Sequence, residues 1–395
     1  MQAGPRPSNP VKTDAAGPVT TSVALDCAYF DAWRCRSCTL LATPYEAQLA
    51  EQQARIEALL PPMLWDAPFA SAVGGFRNKA KMAVAGTVDA PTLGILAADG
   101  SGVDLQACPL HEQPLVDAMP ALEALVREAR IVPYDVPSRR GELKHLILTA
   151  SPDGELALRI VLRSSEALPR IRKHLALLDA LPLVSVSANL QPEHKAVLEG
   201  DEELLLAGAG VLRMRVNGIG LRLRPRSFFQ TNTAVAAALY RQATAWIDEA
   251  EPASVLDLYC GVGGFALHAA RPGRRVAGVE VTAEAIDAAR ETAAELGVEL
   301  GADASFAVGD ATGVDLEGAG APELVVVNPP RRGIGELAGR LEASAVRRVV
   351  YSSCNPSSLA RDLAAMPSLR PARARVFDMF PHTTHAEVLV ELERR

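Results

Sequence analysis

The stretch SVLDLYCGVGGF, residues 254–265, decides the fold. Its apolar half reads as a buried strand, and its glycines read as the tight turn that starts a helix. Downstream, apolar strand candidates alternate with helices: 255–258, 275–280, 305–308, 324–327 and 348–352. Alternating βα units predict a parallel, doubly wound sheet. Two late candidates, 373–378 and 387–392, have no helix between them and are expected to form an antiparallel hairpin at the sheet edge. Upstream, 233–248 reads as a helix that leads into the first strand.

From 66 to 225 the pattern changes to strands broken by Gly and Pro. Segments 144–150, 155–163, 183–190, 212–216 and 221–225 read as strands, the last two flanking the turn Asn217-Gly218. This predicts a mixed α/β domain. An amphipathic helix is expected over 44–60, ending at Pro61-Pro62. Residues 1–26 lack periodicity and read as a disordered tail. The resulting division is a tail (1–26), a cysteine segment with its helix (27–65), a central α/β domain (66–225) and a C-terminal domain (226–395).

The chain has 395 residues, 49% of them hydrophobic, and a net charge of −7. This composition excludes fibrous and largely disordered classes. No apolar run approaches the ~18 residues of a membrane helix, and no signal peptide is visible, so a cytoplasmic protein is expected. The acidic balance argues against indiscriminate nucleic-acid binding while allowing a local basic face.

In an open α/β sheet, ligands bind at the carboxyl ends of the strands. Gly261, Gly263 and Gly264 would let the backbone approach such a ligand. Glu280 ends the second strand, where a carboxylate can accept both hydrogen bonds of a ribose diol. Asp310, after the third strand, could lie near an adenine ring. These features fit NAD, FAD or S-adenosylmethionine equally. Asn328-Pro329-Pro330-Arg331 separates them, because a Pro-Pro turn at this point serves methyltransferases and has no use in a dehydrogenase. Arg331 stands where amino-directed methyltransferases have an aromatic residue.

Cys354, in SSCNP, closes the fifth strand just before a helix, whose N-terminus is expected to lower the thiol's pKa. By itself it could equally be a small buried hydrophobe. His382, His385 and Glu387 cluster before the last strand. Their spacing is not that of a helical zinc motif, which leaves a solvated turn or a catalytic carboxylate. Cys27, Cys35, Cys38 and Cys108 could supply four thiolates to zinc or to an iron–sulfur cluster, and Cys35 and Cys38 alone could be a redox pair.

The stretches CAYFDAWRCRSC, FRNKAKM, SFFQTN, LYCGVGGF, VNPPRRGIG, SSCNP and DMFPHTTHAEVLVEL, spread over 27–395, resemble the 5-methyluridine RNA methyltransferases, closest to the branch that acts on 23S rRNA. The resemblance implies a Rossmann-like class I methyltransferase domain and a central RNA-binding domain. It assigns S-adenosylmethionine contacts to Gln230, Tyr259, Glu280 and Asn328, the nucleophile to Cys354 and the general base to Glu387. It also implies a 4Fe-4S cluster on Cys27, Cys35, Cys38 and Cys108. The implied substrate is a single-stranded or loop uridine of 23S rRNA, approached by a monomer with no membrane association. The rivals are an RNA-binding iron–sulfur protein with a degenerate methyltransferase fold, an amino-directed methyltransferase, and a member of the same family acting on another RNA.

Residues 204–247 carry Arg213, Arg215, Arg222, Arg224, Arg226 and Arg241 and no acid. Arginines alternating with apolar residues on two strands share one face, which predicts a phosphate-binding surface. Arg77, Lys79 and Lys81 form a second basic cluster. Phe228 and Phe229 are expected to stack or pack.

Overall fold

The computed structural model describes residues 25–195, 197–300, 303–317 and 321–395. The tail expected over 1–26 therefore lies, apart from its last two residues, outside the described residues. Among the described residues no helix is long and apolar enough to cross a membrane.

The C-terminal region folds into an eight-stranded sheet. Five strands are parallel, in the spatial order Asp303–Val308, Arg275–Glu280, Ser254–Leu258, Leu324–Val327 and Arg348–Ser353. Their buried Val and Leu side chains pack against helices on both faces, as a parallel sheet requires. Glu387–Arg394 then inserts antiparallel between Arg348–Ser353 and Leu369–Phe377. The late hairpin thus forms, one strand in from the edge. The edge itself is Leu64–Trp65, which pairs in parallel with Leu369–Phe377 and comes from far upstream.

The central sheet has seven strands and packs its core against the helix Gln113–Glu128. The expected strands over 144–150, 155–163 and 183–190 appear as Leu143–Ala150, Leu156–Leu162 and Leu183–Leu190. The hairpin Leu212–Val216/Ile219–Leu223 turns through Asn217 and Gly218, both at positive φ, as a type I′ turn demands. Its second strand starts two residues earlier than its alternation predicts. Its buried Met214, Val216 and Leu221 pack with Trp246 and Phe265, so the hairpin belongs to the C-terminal core rather than to the central sheet.

The helix Tyr45–Glu57 forms where its spacing predicts. Ile56 seats it in the C-terminal core beside Leu258 and Tyr351. Residues 45–65 are therefore packed onto the far end of the chain.

Candidate active site

Five parallel strands deliver the expected site residues to one end of the sheet. Tyr259 follows the first strand, Glu280 ends the second, Asp310 follows the third, Asn328 the fourth and Cys354 the fifth. All five line a single cavity of about 930 Å³, together with Gln230 and Glu387. That volume suits a nucleoside-sized ligand with room for a second group.

The glycine turn shapes the floor. Gly261 and Gly263 sit at φ +53° and +86°. A Cβ on Gly261 would meet open space, whereas one on Gly263 would press on Leu267 and Phe306. Beneath the turn, Asp257 is fully buried and accepts a hydrogen bond from the Ala266 amide at 2.9 Å. Burial raises its pKa to about 8, and its second oxygen has no partner. Glu280 accepts from the Gly261 amide at 3.4 Å and the Thr282 amide at 3.0 Å, which fixes its carboxylate at the cavity wall. Asp310 is likewise oriented by the Thr312 amide, whose hydrogen bond lowers its pKa. An open glycine cradle flanked by two oriented carboxylates fits the ribose and adenine of S-adenosylmethionine.

Gln230 reaches the cavity from the loop before the helix Thr233–Ala250. That loop is held by the buried Asn78, whose amide group donates to Gln230 O at 3.0 Å and Thr233 Oγ1 at 2.7 Å. The FRNKAKM stretch is therefore no simple basic patch. Arg77 turns toward Cys38 and Cys108, whose charges oppose the lowering of its pKa by burial. Lys79 has its pKa pushed down to about 8 by burial and by neighbouring Lys81 and Arg159. Only Lys81 among the three is exposed.

Cys354 and Glu387 meet through strand register. Ser353 pairs with Val388 and Ser352 with Leu389, and Cys354 and Glu387 lie just beyond the end of that antiparallel ladder, near enough for the Glu387 charge to act on the thiol. Glu387 is 2% exposed and accepts a hydrogen bond from Ser352 Oγ, a residue sequence reading passed over. Burial raises the Glu387 carboxyl to about 7.

The Cys354 thiol departs from expectation, because its pKa is raised rather than lowered. Burial is the largest cause and the Glu387 charge adds to it, while Arg331 pulls the other way. The short helix after Asn355 does not overcome that burial and the nearby carboxylate.

The two histidines divide. His385 lines the cavity, with Nδ1 at 3.3 Å from Arg331 Nη2. His382 is buried with both ring nitrogens occupied, Nε2 by Val73 O at 2.7 Å and Nδ1 by Gln48 Nε2 at 3.3 Å. It has no free nitrogen for substrate.

The arginine face over 212–226 is a correction. Arg213 and Arg222 pair with Glu295, and Arg224 pairs with Glu291, both acids lying on the helix Ala283–Leu300. Arg215 pairs with Asp153. The arginines do share a face, but two carboxylates of a helix far downstream pair with three of them, so it is not the bare basic face that the strands alone predict. Phe229 packs in the core, whereas Phe228 is exposed at the cavity rim.

Cys27, Cys35, Cys38 and Cys108 are all free thiols of intermediate exposure. Burial, with the charges of Cys108, Cys35 and Cys27 adding to it, pushes the Cys38 thiol up to about 12. Among the described residues no group of three or more His, Cys, Asp or Glu is arranged to hold a metal ion.

If Glu280 holds the ribose, Glu280→Ala should weaken S-adenosylmethionine binding by about 1–3 kcal/mol, the worth of hydrogen bonds to a charged acceptor. Calorimetry should show RNA affinity unchanged. Unaltered cofactor affinity would remove Glu280 from the ribose.

Residues 306–395 match the family model described as tRNA (Uracil-5-)-methyltransferase, and residues 255–328 match a general methyltransferase domain. The chain is 48% identical over 381 residues to the 23S rRNA (uracil(747)-C(5))-methyltransferase RlmC of Halothiobacillus neapolitanus, covering 94% of this chain and 100% of that one. It is 48% identical over 374 residues to the protein of the same name from Shewanella amazonensis, covering 92% and 97%. Among solved structures, the tRNA (uracil-54, C5)-methyltransferase of Pyrococcus abyssi, in complex with S-adenosyl-L-homocysteine, aligns with a TM-score of 0.77 at 27% identity, covering 90% of this chain and 85% of that one.

Proposed function

The chain belongs to the family of RlmC 23S rRNA (uracil-C5)-methyltransferases, and from that premise we propose that it methylates carbon 5 of uridine 747, or its equivalent, with Cys354 as nucleophile and Glu387 as base. It is an S-adenosylmethionine-dependent RNA methyltransferase of class I fold. The observation that carries the residue assignment is the shared cavity, which a thiol and a buried carboxyl line together beside the glycine cradle.

Carbon 5 of uracil is too weak a nucleophile to take a methyl group unaided. The Cys354 thiolate adds to carbon 6, forming a carbon–sulfur bond and moving the double-bond electrons onto the carbonyl at carbon 4. Bound S-adenosylmethionine supplies a methyl group on a sulfonium. Carbon 5 takes that methyl as the enolate collapses, and S-adenosylhomocysteine leaves. Glu387 then removes the carbon 5 proton, and the released electron pair restores the double bond and expels the thiolate. Arg331 favours the anionic form of Cys354. A uridine must leave its stack to reach this cavity, which favours a single-stranded or loop target. The same reading takes the work to be cytoplasmic and the enzyme to be a monomer.

Mapping 5-methyluridine in 23S rRNA by mass spectrometry, from a strain lacking this gene, tests the proposal. One methyl group should disappear and return with the wild-type gene. An unchanged methylation map would reject the substrate.

The same reading places a 4Fe-4S cluster on Cys27, Cys35, Cys38 and Cys108. Four free thiols lie together, burial and the charges of Cys27 and Cys35 raise the thiol pKa of Cys38 and Cys108, and Arg77 is the nearby cation, a crowded donor set that an iron cluster would relieve. Its part is structural or in RNA positioning. Protein purified without oxygen should be brown and carry about four irons per chain. Stoichiometric zinc without iron would reject the cluster.

A further inference from the structure

We infer that residues 38–57 brace the active-site loop that carries Glu387, with Gln48, Gln52 and Arg55 as positioning residues. The inference rests on Glu387 being the base. The loop 378–386 joins the last two strands, and its geometry sets where Glu387 enters the cavity. Four of its residues are gripped from the far end of the chain. Tyr45 donates through its hydroxyl to Asp378 Oδ2 at 2.7 Å. Gln48 Oε1 accepts from the His382 amide at 3.0 Å, and its Nε2 meets His382 Nδ1 at 3.3 Å. Gln52 Nε2 donates to His385 O at 2.9 Å, and Arg55 Nη2 to Thr384 O at 2.7 Å.

Positions 48, 52 and 55 follow helical spacing, so one face of the helix Tyr45–Glu57 makes all three contacts. Gln48 and Gln52 are each only 6% exposed. Burying two glutamines on the core side of a helix is costly unless their hydrogen bonds matter. Gln52 leaves its Oε1 without a partner, so its bond to His385 O is the polar contact that holds it there.

The brace continues to the cysteines. Gln48 Nε2 also donates to Leu40 O at 3.0 Å and Thr43 O at 2.8 Å. The Leu40 amide donates to His382 O at 2.9 Å, and the Leu41 amide to Cys38 O at 3.1 Å. His382 itself holds a left-handed backbone, φ +65°, with its ring clamped between Gln48 and Val73. A non-glycine residue keeps that conformation only where its surroundings impose it. Segment 38–43, helix and loop thus form one hydrogen-bonded unit that ends two residues before Glu387.

Gln48→Met and Gln52→Met preserve length and remove the hydrogen bonds. His382→Asn removes the ring while tolerating the left-handed backbone. Each should lower kcat roughly 10- to 100-fold, the scale expected for a reacting group displaced by about an ångström. Each should also accumulate a covalent protein–RNA species, with RNA and S-adenosylmethionine affinities unchanged. Added to Glu387→Gln, each should leave the rate and yield of the single-turnover adduct unchanged, because it acts through Glu387.

A merely structural role would lower the melting temperature with no accumulated adduct, or would add to the Glu387→Gln defect, and either result overturns the brace. Should Gln48→Met fail to fold, Gln52→Met, which loses one bond, carries the test. An adduct in Glu387→Gln with none in the brace variants removes the brace alone. No adduct in Glu387→Gln removes the base assignment and the brace with it.

Discussion

Cys354→Ala should abolish methyl transfer, with a loss of at least about 10⁴-fold, because no other group in the cavity can raise carbon 5 to a competent nucleophile. Among the cavity residues the only other cysteine is Cys260, whose thiol is buried and pushed far up by burial and by Asp257 and Glu280. S-adenosylmethionine should bind the variant normally, since its expected contacts come from the first, second and fourth strands and the Gln230 loop. Scintillation counting of methyl transfer to a 23S rRNA fragment, beside calorimetry with the cofactor, checks both halves. Residual turnover within tenfold of wild type would mean direct methylation without a nucleophile.

Glu387→Gln should stall the reaction at a later step, so its defect differs in kind. Addition through Cys354 remains open, and removing the Glu387 charge even eases ionisation of the thiol, whose pKa that charge raises. Methyl transfer should proceed for one turnover and stop, because nothing takes the carbon 5 proton. The wild-type enzyme should show steady-state turnover rising with pH through about 7, where the buried carboxyl ionises. The sign follows from the chemistry, since only the carboxylate accepts a proton. No steady-state turnover in Glu387→Gln, alongside a single-turnover burst of methyl transfer to RNA that stays attached to Cys354, is the expected pair of results. Multiple turnover at the wild-type rate would move the base elsewhere. His385 would be the next candidate, since His382 has both ring nitrogens engaged.

The parallel sheet was legible because each strand is a short Val- and Leu-rich run followed by its own chemical punctuation. GVGG, Glu280, NPPR and SSCNP all fall at carboxyl ends, so reading the strands already gathers the site. The turn at Asn217-Gly218 was legible for a local reason, that only certain residues accept positive φ at both turn positions. What stayed hidden depends on partners distant in sequence. The arginines of the hairpin look like a phosphate-binding face until the helix Ala283–Leu300 lays Glu291 and Glu295 across them. The Cys354 pKa rises instead of falling because the folded chain buries the thiol and brings the Glu387 charge near it, neither of which shows in a string of letters. The edge strand Leu64–Trp65 is two residues long and carries no periodicity to read. Gln48 and Gln52 look like polar residues of an amphipathic helix, and only the loop folded back from 378–386 shows why they are buried.

The most direct test is the mass of the covalent species itself. Glu387→Gln is reacted with S-adenosylmethionine and an rRNA fragment, denatured, digested with nuclease and protease, and weighed. The account predicts one modified peptide, containing Cys354, heavier by a uridine nucleotide that already carries the transferred methyl group. An unmodified Cys354 peptide beside free methylated RNA, or a nucleotide attached to any other cysteine, would contradict it.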